Sequence, residues 1–552
     1  MALSEQELLE YACEQFENGR YDAALEAFIL AYTKEYEQEW VLENVYNCYM
    51  AGNEAEFQKN YELWNTGEKP AYEELTLDFV PYREGEYYVY DKKIQSFRGI
   101  FSMDSVKNAV RQEDFQWLEF SALAAAIDWD WSNLPGILKE AGFHRVYAVC
   151  QDMNRCASYF KIPELAEYAG NIMLFSSMEA FQHYFHEHTS VYLPKICTGM
   201  EDGKKTLLEI LNKEHEYRLT PEGRNTDNVL LTIAIPTYHR GNLVLERMKN
   251  LLPMSYDAEI EIAVSKNGTE LYQKEYRQVS QIADARMVYY DHERALWPTE
   301  NWRYAVEMSH GKYVLFVSDE DDVVTESLEH YLKVLNEHPE LNVVRAKTVL
   351  QYCHISSRSY KKKGLDAFLN FFMWQNYLSG LIVRREDFIE ENFAHLDKFS
   401  DNVFYKNYPH EWWCAVLSRK GDNLVEPKIL IWERNQDDYK DELASLPNYS
   451  TYEARMQQFD GIVGFLHWFM DGDAEGAMFG LESAIYKTVY YMGLTRKMGH
   501  DSEREHFEEW VERFSIKVKN MVDDFGMNEE QKAAVLEFLE EQCFNAREKA
   551  GI

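Results

Sequence analysis

Positive charge is scarce in this chain. There are 57 Lys and Arg against 94 Asp and Glu, a formal net charge of −37. A surface that acidic repels nucleic acid and anionic membrane, so neither is an expected partner. An anionic nucleotide is not excluded, because a divalent cation, a single basic side chain or a helix N-terminus offsets charge locally. Cysteine is sparse and scattered. The eight cysteines, at 13, 48, 150, 156, 197, 353, 414 and 543, make no C-x-x-C pair, and no histidine cluster has zinc-ligand spacing. This usage fits reduced, buried thiols rather than a disulfide framework or a zinc site. No apolar run approaches the ~20 residues of a membrane helix. The strongest stretch, Phe371 to Val383, is short and carries Gln375 and Asn376. The opening Met1-Ala2-Leu3-Ser4-Glu5 has neither the basic nor the apolar part of a secretion signal, so a cytoplasmic setting is expected.

What the chain does have is length and apolar mass. Its 552 residues are 46 % apolar and 15 % aromatic, enough to fill large cores and too much for long disorder. At roughly 100–200 residues per domain, about three or four domains are expected. Residues 1–65 read as helices. Ala12, Phe16, Gly19, Tyr21, Ala24, Phe28 and Ala31 place small residues at close helix contacts and Gly-x-Tyr at the turn. That spacing resembles a tetratricopeptide unit, and an ordinary helical hairpin is the alternative. Residues 66–225 alternate strand and helix. Strands are expected at Leu77–Tyr82, Glu86–Tyr90, Trp117–Phe120, Val146–Cys150 and Ile172–Phe175, and helices at Ser132–Ala141 and Met178–His186. No strand-to-helix turn in this accessory α/β domain carries a Gly-rich phosphate loop. A second α/β domain spans 226–438. From 439 to 552 the apolar residues recur at helical spacing, as in Ile462, Phe465, Leu466 and Phe469.

The chemistry concentrates in the second α/β domain. Leu230 to Tyr238 is an apolar, β-rich run stopped at Pro236, which has no N–H to give a ladder. Leu243–Leu252 reads as a helix and Glu261–Ser265 as a second strand, closed by Lys266-Asn267-Gly268-Thr269. In an open α/β sheet, ligands bind beyond the carboxyl ends of the strands, where both of these loops fall. A third strand, Gly311 to Ser318, runs straight into Asp319-Glu320-Asp321-Asp322. Four carboxylates at a buried strand end cost several kcal/mol unless something compensates them. Mg²⁺ or Mn²⁺ bridging one or two of them to phosphates does so. A solvated acidic turn is the plainer alternative.

Taken together, these segments resemble family-2 glycosyltransferases of the GT-A fold, a Rossmann-like α/β architecture. The carrying motifs are Pro236-Thr237-Tyr238-His239-Arg240, Ser265 to Glu270, Asn301, and the Gly311-Lys312-Tyr313 strand with its Asp-x-Asp-Asp ending. The resemblance implies a metal-dependent, inverting transfer of a sugar from a nucleotide-diphosphate donor, with a UDP-sugar favoured, to a protein or glycan acceptor. It implies a donor site built from Pro236, Thr237, Tyr238, Arg240, Ser265, Asn267, Asn301, Asp319 and Glu320, with Asp321 and Asp319 on Mn²⁺ or Mg²⁺. Two positions depart from the family. Lys266 stands where an aspartate often contacts the base, and His239 replaces an asparagine.

Inverting transfer needs a group that takes the proton from the acceptor hydroxyl. Glu411, in Pro409-His410-Glu411-Trp412-Trp413, fits best, with His410 and Asp401 in reserve. An acid at that place is equally explained as the start of a helix. Trp412 and Trp413 suit a sugar face or a core, and Arg434 is a candidate phosphate contact. Two other functions compete. One is a non-catalytic scaffold or binding protein on a degenerate transferase fold, suggested by Lys266. The other is a nucleotidyltransferase, which wants a Gly-rich first loop that Tyr238-His239-Arg240-Gly241 does not make.

Overall fold

A computed structural model describes residues 4–64, 68–109, 120–127, 134–349, 355–373, 377–434, 451–498 and 505–550. The chain divides into two compact units, Met1–Arg218 and Leu219–Ile552.

The first unit opens with helices Glu5–Glu17, Tyr21–Thr33, Gln38–Gly52 and Glu54–Leu63. Ser4 starts the first of them with a capping box: its hydroxyl accepts from the Glu7 N–H while the Glu7 carboxylate accepts from the Ser4 N–H. Gly19, at φ +71°, makes the turn to the second. Ala12, Ala24 and Ala31 are fully buried. Strands β1 (Leu77–Arg83), β2 (Glu86–Asp91) and β3 (Ser96–Ser102) form an antiparallel sheet. Strands β4 (Leu123–Ile127), β5 (Val146–Cys150), β6 (Ile172–Phe175) and β7 (Ile196–Gly199) form a parallel one, in the order β6-β5-β4-β7. Helices and sheets share one core, in which Tyr46 stacks on Tyr90 at 4.0 Å and Trp64 on Phe160 at 4.2 Å.

Strands β5 and β6 lie where the sequence places them. Strands β3, β4 and β7 are additions. Leu123-Ala-Ala-Ala-Ile is helix-prone by propensity, yet as the central strand it is buried on both faces, and packing overrides the preference. The strand expected at Trp117–Phe120 falls, except for Phe120, outside the described residues. The helix expected at Ser132–Ala141 is described from Leu134 onward.

The second unit is built on a mixed sheet. Its strands are β8 (Leu231–Thr237), β9 (Ile260–Lys266), β10 (Met287–Asp291), β11 (Tyr313–Phe316), β12 (Asp322–Val323), β13 (Leu341–Thr348), β14 (Ser359–Lys361), β15 (Leu381–Arg384) and β16 (Asp422–Trp432). Their order is β10-β9-β8-β11-β15-β13-β16-β12, with β14 also on β16. The first four run parallel, so Thr237, Lys266, Asp291 and the turn after Phe316 emerge along one edge. Every residue of β8 and β9 is buried, which explains their continuous rather than alternating apolar pattern. Gly311 lies so close to β8 that a Cβ there would meet the Thr232 nitrogen at 2.6 Å.

Helices Tyr452–Phe469, Ala474–Met498, Phe507–Met521 and Glu529–Ala550 close the chain. They share a core with the sheet: Phe465 stacks on Trp412 at 4.4 Å and Phe469 lies 5.3 Å from Phe368. Among the described residues no helix is long and apolar enough to cross a membrane. The described cysteines are free thiols.

Candidate active site

The edge where β8, β9, β10 and β11 end gathers most of the residues singled out in the sequence. Thr237, the last residue of β8, donates its hydroxyl to Asp319 Oδ2 at 2.7 Å. The Tyr276 hydroxyl lies 2.8 Å from the same Thr237 oxygen and accepts from the Arg240 N–H at 3.1 Å. The Arg240 guanidinium spans two acids, 3.0 Å from Asp319 Oδ1 and 2.6 Å from Glu320 Oε2. Pro236, Thr237, Arg240, Asp319 and Glu320 are thus brought together. Burial pushes the Asp319 and Glu320 carboxyls up, while the Arg240 charge pulls both back down.

Asp321 is held differently. It is fully buried, and its Oδ2 accepts from the hydroxyls of Tyr377 at 2.6 Å and Ser379 at 2.5 Å. Its Oδ1 takes the Arg434 backbone N–H at 3.4 Å. Burial pushes this carboxyl up to about 6 against those hydrogen bonds, and the nearby Glu433 charge adds to the rise. Among the described residues these donors are two hydroxyls and one backbone N–H, so the charge of Asp321 is solvated there by neutral dipoles. Asp322, next along, bonds Asn250, Arg247 and Arg434.

Among the described residues no group of three or more His, Cys, Asp or Glu side chains is placed to hold a metal ion. A Mg²⁺ or Mn²⁺ site needs only one or two protein carboxylates when phosphates complete it. Asp321 fits that role. It is an anion raised in pKa by burial and by neighbouring acids, the environment that a divalent cation relieves. Asp319 is engaged by Arg240 and Thr237, so of the two expected ligands Asp321 is the one that lacks a cation of its own.

Beside this cluster, Ser265 donates to Asn301 Oδ1 at 2.7 Å, and the His292 Nε2 lies 3.0 Å from the same hydroxyl. Asn267 braces the next loop: its amide donates to Leu296 O at 2.9 Å and its oxygen accepts from the Leu296 N–H at 2.6 Å. Gly268 permits that brace, since a Cβ there would overlap the Arg294 backbone at 2.3 Å. Tyr238 is 43 % exposed and stacked on His239 at 3.7 Å. His239 sits at φ +60°, a left-handed conformation for which the family's asparagine is also suited.

The candidates for the base are spread apart. Glu411 lies in helix Pro409–Leu417, buried, with Oε2 accepting from the Met373 N–H at 2.8 Å. His410 is buried beside it. Asp401 is fully exposed and lies 3.4 Å from the Lys406 ammonium. Trp412 and Trp413 are fully buried core residues, Trp413 stacking on Phe316 at 5.4 Å, which removes them as a sugar platform. The Arg434 guanidinium is committed to Glu246 at 2.8 Å and to Asp322 at 3.5 Å.

Sequence reasoning passed over Tyr276, Asp291, Tyr377 and Ser379. Nothing in the order of residues tells which hydroxyls reach Asp321. Ser379 does so because it also accepts from the Ser318 N–H at 2.8 Å, which ties this segment to the end of β11.

Comparison with known proteins matches residues 232–380 to the model of glycosyl transferase family 2. A search of curated proteins gave no match. Among solved structures the chain is similar to residues 1–349 of S. aureus TarS in complex with UDP-GlcNAc. That likeness has 12 % identity and a TM-score of 0.38, over 58 % of this chain and 90 % of that one. It is also similar to the mannosyltransferase PcManGT from Pyrobaculum calidifontis in complex with GDP-Man and Mn²⁺. There the identity is 11 % and the TM-score 0.30, over 57 % of this chain and 86 % of that one.

Proposed function

We propose, from the family-2 glycosyltransferase domain of GT-A fold that includes residues 232–380, that this chain moves a sugar from a UDP-sugar to a protein or glycan hydroxyl with inversion. The observation that carries the reading is Asp321, a fully buried carboxylate at the ligand-binding edge of a parallel sheet, solvated only by neutral donors. Such a group is costly to keep in a fold that does not use it.

In this reading Asp321 holds Mn²⁺ or Mg²⁺ together with the donor diphosphate. The bound cation supplies Lewis-acid stabilisation of the departing diphosphate. Thr237 and Arg240 fix Asp319, and with it the ribose side of the donor. The acceptor hydroxyl oxygen attacks the anomeric carbon, the bond from that carbon to the diphosphate breaks, and the hydroxyl proton passes to a carboxylate. Glu411 is the candidate for that carboxylate, with Asp401 in reserve and the His410 imidazole as the alternative base. The tetratricopeptide reading of the N-terminal helices would give a protein acceptor a surface to bind.

The test is a thermal-shift series of UDP, UDP-sugars and other nucleotide sugars, with and without Mn²⁺. A ligand that binds only the native state raises stability by RT ln(1 + [L]/Kd). A Mn²⁺-dependent rise with a UDP-sugar, together with slow release of free sugar, is the expected result. A rise without any turnover would favour the scaffold reading, and no rise with any nucleotide would end the proposal.

A further inference from the structure

At the opposite end of the same sheet lies a cavity of about 730 Å³, beside the amino ends of β8 and β11. His310, Lys312, Arg384 and Arg385 line it, against one acid, Glu386. Such a concentration of positive charge stands out in a chain of net charge −37. Two of the four basic groups are answered inside the protein. His310 Nδ1 lies 2.7 Å from the Glu261 carboxylate, and Arg384 lies 3.6 Å from Asp387. Lys312 and Arg385 differ: among the described residues neither has a carboxylate within ion-pair reach. Arg385 donates instead to the carbonyls of Val306 at 3.2 Å and Glu307 at 2.9 Å, at the end of helix Pro298–Glu307. Lys312 is exposed.

Strand register sets these two cations against each other. β11 runs antiparallel to β15, with Tyr313 opposite Arg384. One step further along, Lys312 stands opposite Arg385, and the Arg385 N–H donates to the Lys312 carbonyl at 2.9 Å. Like charges directly opposite across antiparallel strands destabilise the pair. Closing the end of a helix accounts for Arg385, since cations are favoured there. It does not account for a second cation facing it.

We infer that this cavity binds a soluble phosphomonoester, with its dianion between Lys312 and Arg385. Two unanswered positive charges match the about −1.5 to −2 that a phosphate monoester carries near pH 7. Arg385 has its Nη1 donors left for the phosphate oxygens, because Nε and Nη2 are engaged by carbonyls. Leu335, Pro339 and Ile389 also line the cavity and give the organic part of the ligand an apolar wall. The volume lies within the range of roughly 300–1,000 Å³ usual for small-molecule sites. A free molecule rather than a lipid headgroup is the source, since so acidic a chain is repelled by an anionic membrane. The ligand is not a substrate of the transfer. The chain from Lys312 to Asp319 follows β11, which puts about 20 Å between the cavity and the acids at about 3.3 Å per residue.

The experiment titrates phenyl phosphate and phenyl sulfate into the full chain and follows the ligand resonances by NMR. A chelator is present, so that no divalent cation at Asp321 holds either compound. Phenyl phosphate is expected to bind at least about tenfold more tightly than phenyl sulfate, its monoanionic counterpart, the scale of one further charge-assisted contact. Lys312→Ala should weaken phenyl phosphate about tenfold. Lys312→Glu should abolish its binding and at the same time raise the melting temperature, because a carboxylate then faces Arg385. Arg240→Gln, at the donor edge, should leave phenyl phosphate binding unchanged. Absence of binding by the native chain, equal affinity for the two compounds, or native affinity in Lys312→Ala would each overturn the inference. So would loss of binding in Arg240→Gln, which would place the phosphate at the donor edge. A melting temperature that falls in Lys312→Glu would show that the two cations do not oppose one another, and would overturn it too. Failure of every nucleotide to bind the chain would end the donor-site reading and leave this one standing.

Discussion

Asp78 in the first unit and Asp321 in the second are both buried carboxylates, and their surroundings differ in kind. Asp78 on β1 meets the Lys161 ammonium, itself buried, and accepts from the Tyr46 hydroxyl at 2.8 Å. Asp321 meets hydroxyls and one backbone N–H. The first arrangement is complete within the protein. The second, among the described residues, rests on neutral dipoles, and a bound cation would add the opposite charge. The parallel sheets repeat the contrast. In the first unit their last residues are Ile127, Cys150, Phe175 and Gly199. In the second they end in Thr237, Lys266, Asp291 and the Asp319–Asp321 acids. In such sheets a site is set by the side chains at the strand ends and not by the sheet itself.

The contrast can be broken from either side. The largest effect on stability is expected from Lys161→Met, which leaves Asp78 buried without its cation. Removing one partner of a buried pair costs about 3–5 kcal/mol, so chemical denaturation should show the loss while nucleotide binding by the second unit persists. A loss below about 1 kcal/mol would mean that Asp78 does not need its partner.

Asp321→Asn should do the opposite. Transfer is expected to fall on the order of 10³-fold with loss of Mn²⁺ dependence, because several kcal/mol of charge stabilisation go with the metal ligand. Folding should not suffer, and pH sharpens the point. The Asp321 carboxyl is pushed from 3.8 up to about 6 in the fold, so the native state binds its proton more tightly than the unfolded chain does. Stability from this group is therefore full below about pH 4 and declines as pH rises to about 6. The difference amounts to at most about 3 kcal/mol. The metal-free protein should lose that increment between pH 4 and 6, and Asp321→Asn should not. Mn²⁺-dependent nucleotide affinity should weaken below about pH 6, where the carboxylate protonates. A mutant with native turnover would remove Asp321 from the site.

Glu411 asks which of the two kinds it belongs to. If it is the base, Glu411→Gln lowers kcat by roughly 10²–10⁴-fold and leaves donor affinity and melting temperature nearly unchanged. If it only anchors the Met373 N–H, as its 2.8 Å hydrogen bond allows, turnover survives, since an amide oxygen accepts as well. Asp401→Asn serves as the exposed control and should stay within about 0.5 kcal/mol of native stability.

Deleting residues 1–64 would ask whether the N-terminal helices stand apart from the rest of the first unit. The Ala and Gly spacing suggests a detachable binding element. The structure puts Leu8, Phe28, Tyr49 and Trp64 into one core with β1, β5 and Phe160. Removing the helices would therefore unfold the first unit, and a binding role is better tested by substitutions at exposed positions such as Tyr11 and Trp40.

Much of the candidate site is legible in the sequence. A continuous apolar run reaching Pro236, a second ending at Lys266 and a third ending in four acids mark parallel strands and their ligand edge, because burial on both faces forbids alternation; Pro236 does not stop the first, which stays paired with β9 through Thr237. Local chemistry of this kind is written in neighbouring residues. Partnership is not. Nothing in the order of residues says that Ser379 and Tyr377 reach Asp321, that Arg240 engages Asp319, or that Lys266 meets Asp291 rather than a base. Each of those pairs joins segments 25 to 79 positions apart. Nor does residue order reveal that Leu123-Ala-Ala-Ala-Ile is a strand, since alanine's preference for helix holds until two packed layers outvote it. The sequence by itself determined which residues end the strands and what charge they bring. The tertiary structure alone decided which of those charges are cancelled inside the protein and which are left for a ligand, because cancellation depends on distance in space and on water being excluded.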